Sequence, residues 1–549
     1  MKTPAMKNDA RTSDTRRNDT RRDFLRFAGA GVTGAALASA PAFAASAPHA
    51  PAAAASSGFS VNAFGAVGDG KTIDTPAINR AIEAAAAKGG TVFFPAGTYA
   101  CYSIRLKSNV ALFLDQGAVI LAAEGAQYDA AEPNTAWDAY QDYGHNHWHN
   151  SLIWGEDLEN ISITGPGLIY GKGLSRGHHE DTDLPGTTSP GVGNKAISLK
   201  NCRNVILRDF SILQGGWFGI LATAVDNLTI DNLKIDTNRD GMDIDCCRNV
   251  RVSNCSVNSP WDDGICLKSS YGLGYARATE NVTITSCYVS GYWQLGSLLD
   301  GSWKKFPDDA RVPRTGRIKF GTESNGGFIN ITVSNCVFEG CQGLALESED
   351  GALLEDVAVS NITMRNIVSA PIFLRLGSRL RGPKESTKVG TMRRVSISNI
   401  VCWNTASKLS SILSGIPGSQ IEDVSISDVL IVAQGGAAAD QAAIHPPENE
   451  TKYPEPNMFG PMPASGFYIR HLKGLSLSNI RIKTLADDAR PAFVLEDVQD
   501  AELFRIQARP AGGAPIVRLS QVENFAIRFS DPIPDTKLPH ADSATLPQS

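Results

Sequence analysis

Apolar and polar residues alternate along most of the chain, and the alternation returns in the same form many times. Five of these phrases read RNVILRDFSIL, DNLTIDNLKID, RNVRVSNCSVN, ENVTITSCYVS and INITVSNCVFE. Each phrase has the two-residue period of a half-buried strand, then an Asn, Asp or Ser and a second short strand. The phrases containing Asn204, Asn227 and Asn249 recur roughly every 22 residues, a length typical of one coil of a solenoid.

Strands and turns that repeat without helices predict an all-β fold, and we expect a single-stranded right-handed parallel β-helix. One coil cannot bury its own apolar face, whereas stacked coils bury a continuous core between parallel sheets. An antiparallel sandwich is less consistent with the sequence, because hairpin signals such as Asn-Gly are scarce. The recurring Asn suits a turn, where its side chain tolerates left-handed backbone geometry.

The first coil of such a solenoid needs a cover, because its strand edges are unpaired. The segment DTPAINRAIEAAAAKGG has helical spacing and predicts an N-terminal capping helix. Asp74 or Thr75 is expected to cap this helix, with Pro76 in its first turn. The Gly pair at 89–90 is expected to end it.

The ten cysteines include three at the same place in successive phrases: Cys255, Cys287 and Cys336. Equivalent positions in stacked coils lie above one another, and Cys behaves there as a small apolar residue. We therefore expect a buried ladder of thiols, although export would permit disulfides. No C-x-x-C pair has the spacing of a zinc site, and we predict no metal.

Residues 1–44 have the order of a twin-arginine signal peptide. Arg21-Arg22 precede an apolar Gly/Ala-rich run over 27–40 and an Ala-Phe-Ala cleavage site at 42–44. The run is too short and too weakly hydrophobic for a membrane anchor. We expect a periplasmic or secreted protein with a linker over 45–58, a β-helix domain over 59–535 and a disordered tail over 536–549.

The formal net charge of −6 limits the kinds of molecule that the protein is expected to bind. A nucleic-acid binder would need a basic face, so no nucleic acid is expected. A polyanionic substrate remains possible, because it needs only a local basic patch. We expect a monomer without a cofactor.

Three aspartates on neighbouring predicted coils are candidates for chemistry. Asp262 and Asp263 lie together in NSPWDDGICLKSS, and Asp240 lies one coil earlier. Hydrolysis of a glycosidic bond needs a protonated carboxyl group and a carboxylate, ~6.5–9.5 Å apart in an inverting enzyme. Crowding raises the pKa of one such group, which keeps an acid protonated. The alternative, a turn-capping role, suits Asp243 and Asp245 better.

These segments carry a family resemblance. FGAVGDGKTIDTPAINRAIEAAAAKGGTVFFPAGTY resembles the N-terminal region of pectin-degrading β-helix proteins. DLENISITGPGLIYGKG, NRDGMDIDCCRNVRVSNC and WDDGICLKSS resemble glycoside hydrolase family 28, the polygalacturonase family. The resemblance implies inverting hydrolysis of a pectin-type or related plant glycan, so that the expected substrate is a polysaccharide or oligosaccharide. It implies Asp262 as general acid, with Asp240 and Asp263 orienting and deprotonating the attacking water.

Two motifs of that family are missing. Its G-H-G motif aligns with RTGRIKFGTES, where the histidine position falls near Gly316, and in its R-I-K motif Ala345 and Glu347 replace Arg and Lys. Those basic residues bind the galacturonate carboxylate in the family. Either Arg317 and Lys319 replace them as a carboxylate clamp, or the sugar at the cleavage site is neutral, for example rhamnose. The sequence favours the changed sugar.

Further candidates lie in inserted segments, which usually form the binding face of a solenoid. DYGHNHWHNSLIWGED contains three alternating histidines, which would share one face of a strand. No acidic or cysteine partner at matching spacing supports a metal, so sugar contact or loop packing is expected. The predicted substrate-binding residues are Asn238, Lys268, Arg317, Lys319, His147, His149, Trp154 and Arg375.

Two other classes of function stay open. A β-helix polysaccharide lyase would use Ca²⁺ held by aspartates and an Arg base, and a chelator would distinguish it from a hydrolase. A non-catalytic glycan-binding β-helix would need no acid–base pair, and the aspartate cluster argues against it.

Overall fold

The computed structural model of the protein describes residues 58–133, 136–142, 144–176, 189–406 and 408–547. The predicted signal peptide over 1–44 lies outside these residues, as does the predicted linker apart from Gly58. Among the described residues, no helix combines the length and apolar character that a membrane span requires.

One α-helix, α1 (Thr75–Ala86), precedes most of the strands. The first half of the chain contains β1 (Phe59–Ser60), β2 (Asp69–Ile73), β3 (Gly90–Phe94), β4 (Gly97–Cys101), β5 (Ile104–Arg105), β6 (Val110–Leu114), β7 (Ala118–Ala122), β8 (Ile153–Glu156), β9 (Glu159–Thr164), β10 (Leu168–Tyr170), β11 (Lys195–Lys200), β12 (Arg203–Arg208), β13 (Ser211–Leu213), β14 (Phe218–Thr223), β15 (Asp226–Asp231), β16 (Lys234–Asp236), β17 (Asp240–Asp245), β18 (Arg248–Ser253) and β19 (Ser256–Asn258). The second half contains β20 (Ile265–Ser269), β21 (Thr279–Thr285), β22 (Tyr288–Ser290), β23 (Ile318–Ser324), β24 (Phe328–Ser334), β25 (Val337–Glu339), β26 (Leu344–Ser348), β27 (Leu353–Arg365), β28 (Ile372–Leu376), β29 (Thr391–Thr405), β30 (Ser411–Ser414), β31 (Ile421–Ala433), β32 (Phe467–Thr484), β33 (Phe493–Phe504), β34 (Gln507–Ala508), β35 (Val517–Arg528) and β36 (Thr536–Leu546).

Each complete coil contributes three strands, and each strand pairs in parallel with its equivalent in the next coil. Stack 1 includes β12, β15, β18, β21 and β24, and stack 2 includes β13, β16, β19, β22 and β25. Stack 3 includes β8, β11, β14, β17, β20, β23, β26, β28 and β30. From β27 onward a single long strand serves both stack 1 and stack 2, because β27 pairs with β24 and with β25. The predicted parallel β-helix is confirmed.

The repeated phrase builds the core by register. Its first apolar position forms one aliphatic ladder through stack 1, whose members are Val205, Leu228, Val250, Val282, Ile331 and Val357. All of these side chains are buried. Cys255, Cys287 and Cys336 are likewise buried and free, and so are the other seven cysteines. The predicted thiol ladder is therefore confirmed.

The recurring asparagines lie at the turns into stack 1, with φ of +56° at Asn204 and Asn227. Asn is tolerated in this left-handed region because its short polar side chain bonds locally. Each amide also donates to its equivalent in the preceding coil: Asn204 Nδ2 donates to Asn160 Oδ1 at 2.9 Å, and Asn227 Nδ2 to Asn204 Oδ1 at 3.1 Å. The turns thus fix the stacking as well as the bend.

Helix α1 covers the first coil with its buried face of Ala and Ile residues, as predicted. Pro76 lies in its first turn, and Gly89 follows its end at φ +72°. The expected cap differs, because Asp74 makes no side-chain bond to the helix. Its carboxylate instead accepts the N–H groups of Val67 and Gly68, at 2.7 and 3.0 Å, and fixes the preceding loop.

The prediction of a disordered tail over 536–549 was wrong for most of that segment. Residues Thr536–Leu546 form β36, which pairs antiparallel with β35 along its length. The last coil would otherwise expose an unpaired strand edge, and pairing supplies hydrogen bonds that a polar composition does not reveal. The β-helix therefore continues past residue 535.

Candidate active site

Stack 3 brings the three predicted catalytic aspartates together. Asp240 opens β17, and Asp262 and Asp263 precede β20, which pairs with β17. One carboxylate oxygen of each lies within 4.8 Å of the others. This bound joins the nearest oxygens, whereas the ~6.5–9.5 Å of an inverting enzyme separates whole carboxyl groups. Two neighbouring coils, ~4.8 Å apart, supply all three groups.

Asp263 is the most strongly held of the three. Arg317 donates from Nε to its Oδ1 at 2.9 Å, and Lys319 Nζ lies 3.5 Å from its Oδ2. Burial alone raises the pKa of Asp263, but the charges of Lys319, Arg317 and Lys268 outweigh burial and hold that pKa below its usual range. Asp263 is therefore ionised in the free protein.

Asp240 has the opposite environment. Burial raises the pKa of Asp240 well above its usual range, and the negative charges of Asp262 and Asp243 raise it further. Its Oδ1 is buried without a hydrogen-bond partner among the described residues. Crowding was expected to keep the predicted acid, Asp262, protonated. The structure instead places the raised pKa on its neighbour Asp240.

Asp262 is the most accessible member, with 27 % of its side chain exposed. Its Oδ2 accepts a 2.5 Å hydrogen bond from Arg239 Nη2, and its Oδ1 accepts the N–H of Asp263 at 3.0 Å. Arg239 lies flat on Trp217, with 4.0 Å between the guanidinium carbon and the ring centroid. Arg239 was absent from the sequence candidates, although it lies between Asn238 and Asp240.

A second buried charge cluster lies behind the aspartates on the same face of stack 3. Lys268 Nζ lies 2.9 Å from Glu323 and 3.7 Å from Asp243. His145 Nε2 lies 3.3 Å from Asp243 and 3.8 Å from Glu323. Lys268, a predicted substrate-binding residue, is thus nearly enclosed and neutralises acidic neighbours.

The loop between β31 and β32 folds back over this face. Glu455 Oε1 accepts a 2.6 Å hydrogen bond from Arg317 Nη2, and Tyr453 Oη lies 3.5 Å from Lys319 Nζ. Gln342 Oε1 accepts a hydrogen bond from Arg317 Nη1 at 2.6 Å. Arg317 has only 1 % of its side chain exposed. The predicted clamp residues Arg317 and Lys319 therefore contact the protein's own carboxylates in this structure.

Comparisons with known proteins show which families this chain resembles. A family model described as rhamnogalacturonase A/epimerase, pectate lyase-like, matches residues 58–292. A probable polygalacturonase of Vitis vinifera is 24 % identical over 389 residues, which cover 67 % of this chain and 73 % of that protein. A family 28 exopolygalacturonase of Yersinia enterocolitica has a solved structure that superposes with a TM-score of 0.59 and 19 % identity, covering 80 % of this chain and 78 % of its own. The chain is thus similar to polygalacturonases in sequence, and it has the fold of the family 28 exopolygalacturonase.

The two polygalacturonase motifs that the sequence lacks have physical explanations here. Gly316 stands near the histidine position with φ +41°, and a Cβ there would lie 2.2 Å from the carbonyl oxygen of Ser290. No side chain fits that space. Ala345 replaces the motif arginine and packs in a buried apolar cluster with Phe459 of the covering loop. Glu347 replaces the motif lysine, and Lys319 lies 3.6 Å from it.

Two predicted substrate-binding residues lie in the interior of the structure, and their binding of a sugar stays a prediction. Asn238 and Arg375 are fully buried. Asn238 accepts the N–H of Trp261 on its backbone oxygen at 3.0 Å, which fixes the turn before Asp262. Arg375 donates to Ser414 at 2.9 Å and to the backbone oxygen of Glu448 at 3.0 Å, and so anchors the covering loop.

The histidine segment does not form a strand, so its histidines do not share one face. His149 Nε2 lies 2.8 Å from Glu156, and its ring lies 3.9 Å from that of Trp154. Glu132 also approaches His149 at 3.5 Å, an acidic partner that the spacing in sequence did not reveal. Lys200 Nζ lies 2.7 Å from Glu156 and supplies positive charge to this cluster. Sugar contact by His147, His149 and Trp154 stays a prediction.

Sequence reasoning missed several residues of the site for different reasons. Tyr453 and Glu455 arrive through tertiary contacts, from more than 130 positions away from their partners. Arg239 adjoins Asp240 in sequence, and His145 is one of the three alternating histidines, but neither was among the predicted site residues. The Arg within Asn-Arg-Asp and the Pro- and Glu-rich stretch HPPENETKYPEPNMFGP were signals in the sequence.

Proposed function

We propose that the protein is a secreted glycoside hydrolase that cleaves a pectin-type or related plant glycan with inversion of configuration. The proposal is carried by the three aspartates at the start of β17 and just before β20, where Asp263 is held ionised beside Asp240 and Asp262. Glycosidic hydrolysis requires one carboxylate and one proton-donating carboxyl group. The polygalacturonases among the relatives support the substrate class.

Asp262 is the general acid in this proposal, because it is the exposed member and can reach a glycosidic oxygen. Asp263 is the base that deprotonates the attacking water. Arg317 binds one oxygen of Asp263 and Lys319 lies near the other, which keeps Asp263 in the ionised form that a base requires. Asp240 orients the water and holds a proton in the resting protein.

Cleavage at chain ends is supported by the covering loop. Glu455 and Tyr453 reach Arg317 and Lys319 directly, so the loop lies against the site on the side of β23. A long polysaccharide lying across stack 3 would collide with such a wall, whereas a chain end would not. We propose exo action on oligosaccharides, and secretion rests on the signal sequence of residues 1–44.

A calcium-dependent lyase is the less well supported alternative. Ca²⁺ would need oxygen ligands that are free of other cations. Arg239 and Arg317 already lie 2.5 and 2.9 Å from oxygens of Asp262 and Asp263. The positive charge that the ion would bring is thus supplied by the chain, and the aspartates do not fit a calcium cage.

The test is product analysis on polygalacturonate, rhamnogalacturonan and neutral plant oligosaccharides. We expect saturated products of mass increased by one water, with an inverted anomer in the first minutes by proton NMR. Release of single sugars without rapid loss of viscosity would support exo action. An unsaturated product absorbing in the ultraviolet would overturn hydrolysis, and a retained anomer would overturn the role of Asp263.

A further inference from the structure

Two guanidinium groups bind the aspartate cluster among the described residues, and they differ in the exposure of their partners. Arg239 pairs with Asp262, whose side chain is partly exposed. Arg317 is bound to Asp263, Gln342 and Glu455, all in one enclosed network. Arg239 has one short ion pair, with Asp262, and its next carboxylate, Asp240, is 3.9 Å away. The Nε–H of Arg239 is buried without a hydrogen-bond partner among the described residues. The guanidinium of Arg239 is therefore less completely bonded than that of Arg317, and its one short ion pair is with the most accessible of the three aspartates.

The bonds of Asp262 conflict with the role of acid. Both of its oxygens accept hydrogen bonds, one from Arg239 and one from the backbone N–H of Asp263. An acid must instead carry a proton on one oxygen and aim it at the glycosidic oxygen. The backbone bond is fixed by the chain, whereas the Arg239 bond joins two side chains and can be exchanged.

We propose that Arg239 binds a carboxylate of the substrate and gives up Asp262 in exchange. Arg239 is then a specificity residue for uronate sugars, in the place of the missing basic motif. The proposal rests on the proposed glycoside hydrolase function and names the group that the site recognises. A planar guanidinium pairs with a carboxylate through two parallel bonds, and packing on Trp217 holds that plane in position.

The exchange balances in charge and protons. Before binding, Arg239 neutralises Asp262, and a proton resides on Asp240. After binding, Arg239 neutralises the sugar carboxylate, and the proton passes from Asp240 to Asp262 through the water that Asp240 orients, since the nearest oxygens of the two groups lie within 4.8 Å. Asp240 is left ionised to orient water, and Asp262 is left protonated to donate. A neutral sugar would not trigger this step.

The experiment measures binding without turnover. Wild type, Asp262→Asn and Asp262→Asn/Arg239→Gln are titrated calorimetrically with D-galacturonate and with D-galactose. Removing the competing carboxylate should raise the affinity of Asp262→Asn for galacturonate by roughly 10-fold or more, the value of one hydrogen bond between charged groups. The double variant should lose the gain, and galactose should show none.

Arg251 provides the matched control, because it is an exposed arginine on β18 that donates to backbone oxygens. Asp262→Asn/Arg251→Gln should keep the gain for galacturonate. Thermal melting verifies that each variant folds, and Arg239→Lys, which keeps the charge without the planar fork, should retain part of the affinity. Equal affinity of wild type and Asp262→Asn, or a gain that survives Arg239→Gln, would overturn the proposal.

The same titration separates this proposal from the proposed function. If no glycan is hydrolysed and the gain is still observed, the hydrolase assignment fails and the Arg239 site stands. If hydrolysis proceeds with inversion and the gain is absent, the hydrolase stands and Arg239 only pairs with Asp262.

Discussion

Arg317→Gln tests whether Asp263 is the catalytic base. The substitution keeps a side chain that can bond Gln342 but removes the guanidinium that donates to Asp263 at 2.9 Å and to Glu455 at 2.6 Å. Asp263 retains Lys319, 3.5 Å from its Oδ2. The variant thus weakens the stabilisation of the carboxylate without abolishing it.

The expected rise in the pKa of Asp263 follows from the loss of one hydrogen bond between charged groups. Such a bond contributes ~1.5–3 kcal/mol, and 1.36 kcal/mol corresponds to one pKa unit, so the pKa of Asp263 should rise by roughly 1–2 units. A base works only when ionised, so activity falls as pH falls through its folded-state pKa. The acidic limb of kcat/KM should therefore move to higher pH by roughly the same amount.

Arg317→Gln should also lower the stability of the folded protein at neutral pH. A carboxyl group with a depressed folded-state pKa stabilises the protein above its unfolded-state pKa and loses that contribution as pH falls through the folded-state pKa. Arg317→Gln removes part of this contribution at neutral pH. Breaking a buried pair costs ~3–5 kcal/mol, so the variant should melt at a lower temperature at pH 7, with a smaller difference at acidic pH.

The assay is kcat/KM across pH on the substrate identified by product analysis, beside thermal melting. Arg490→Gln is the matched control, because Arg490 and Asp488 form another buried pair, 2.7 Å apart. It should lower the melting temperature and leave the acidic limb in place. An unshifted limb in folded Arg317→Gln would show that Asp263 is not the group whose ionisation limits activity.

Four further expectations follow. Asp262→Asn should lower kcat by ~10²–10⁴-fold with an unchanged circular dichroism spectrum, and near-normal turnover would remove Asp262 as the acid. Activity should persist in EDTA, since the chain's own cations neutralise the aspartates; loss of activity restored by Ca²⁺ would contradict this. A chain ending at Asp535 should melt earlier and scatter more light, because β35 loses the pairing of β36; an unchanged melt would show that β36 adds nothing. The thiols should react with an aromatic disulfide reagent only after denaturation, since all ten are buried and free; fast reaction in the native state would refute that burial.

The local pattern of the sequence was enough to predict the coil. Alternation of apolar and polar residues in RNVILRDFSIL and the similar phrases of this chain specifies which side chains point inward. Equivalent positions must stack once the strands are parallel. The Asn turns, the thiol ladder and the capping helix follow from neighbours close in sequence, so local physics decides them. The adjacency of Asp262 and Asp263, with Asp240 one coil before, follows for the same reason.

Only the tertiary structure decided how those aspartates are charged and what surrounds them. The loop carrying Tyr453 and Glu455 returns to the site from far along the chain and encloses Arg317, which sequence reasoning assigned to the substrate. Strand β36 is polar in composition, yet the open edge of β35 makes it a strand. Contacts of this kind depend on which distant segments meet. A pKa depends on burial and nearby charge, so the alternation of residues along one coil cannot encode the pKa of an aspartate in the site.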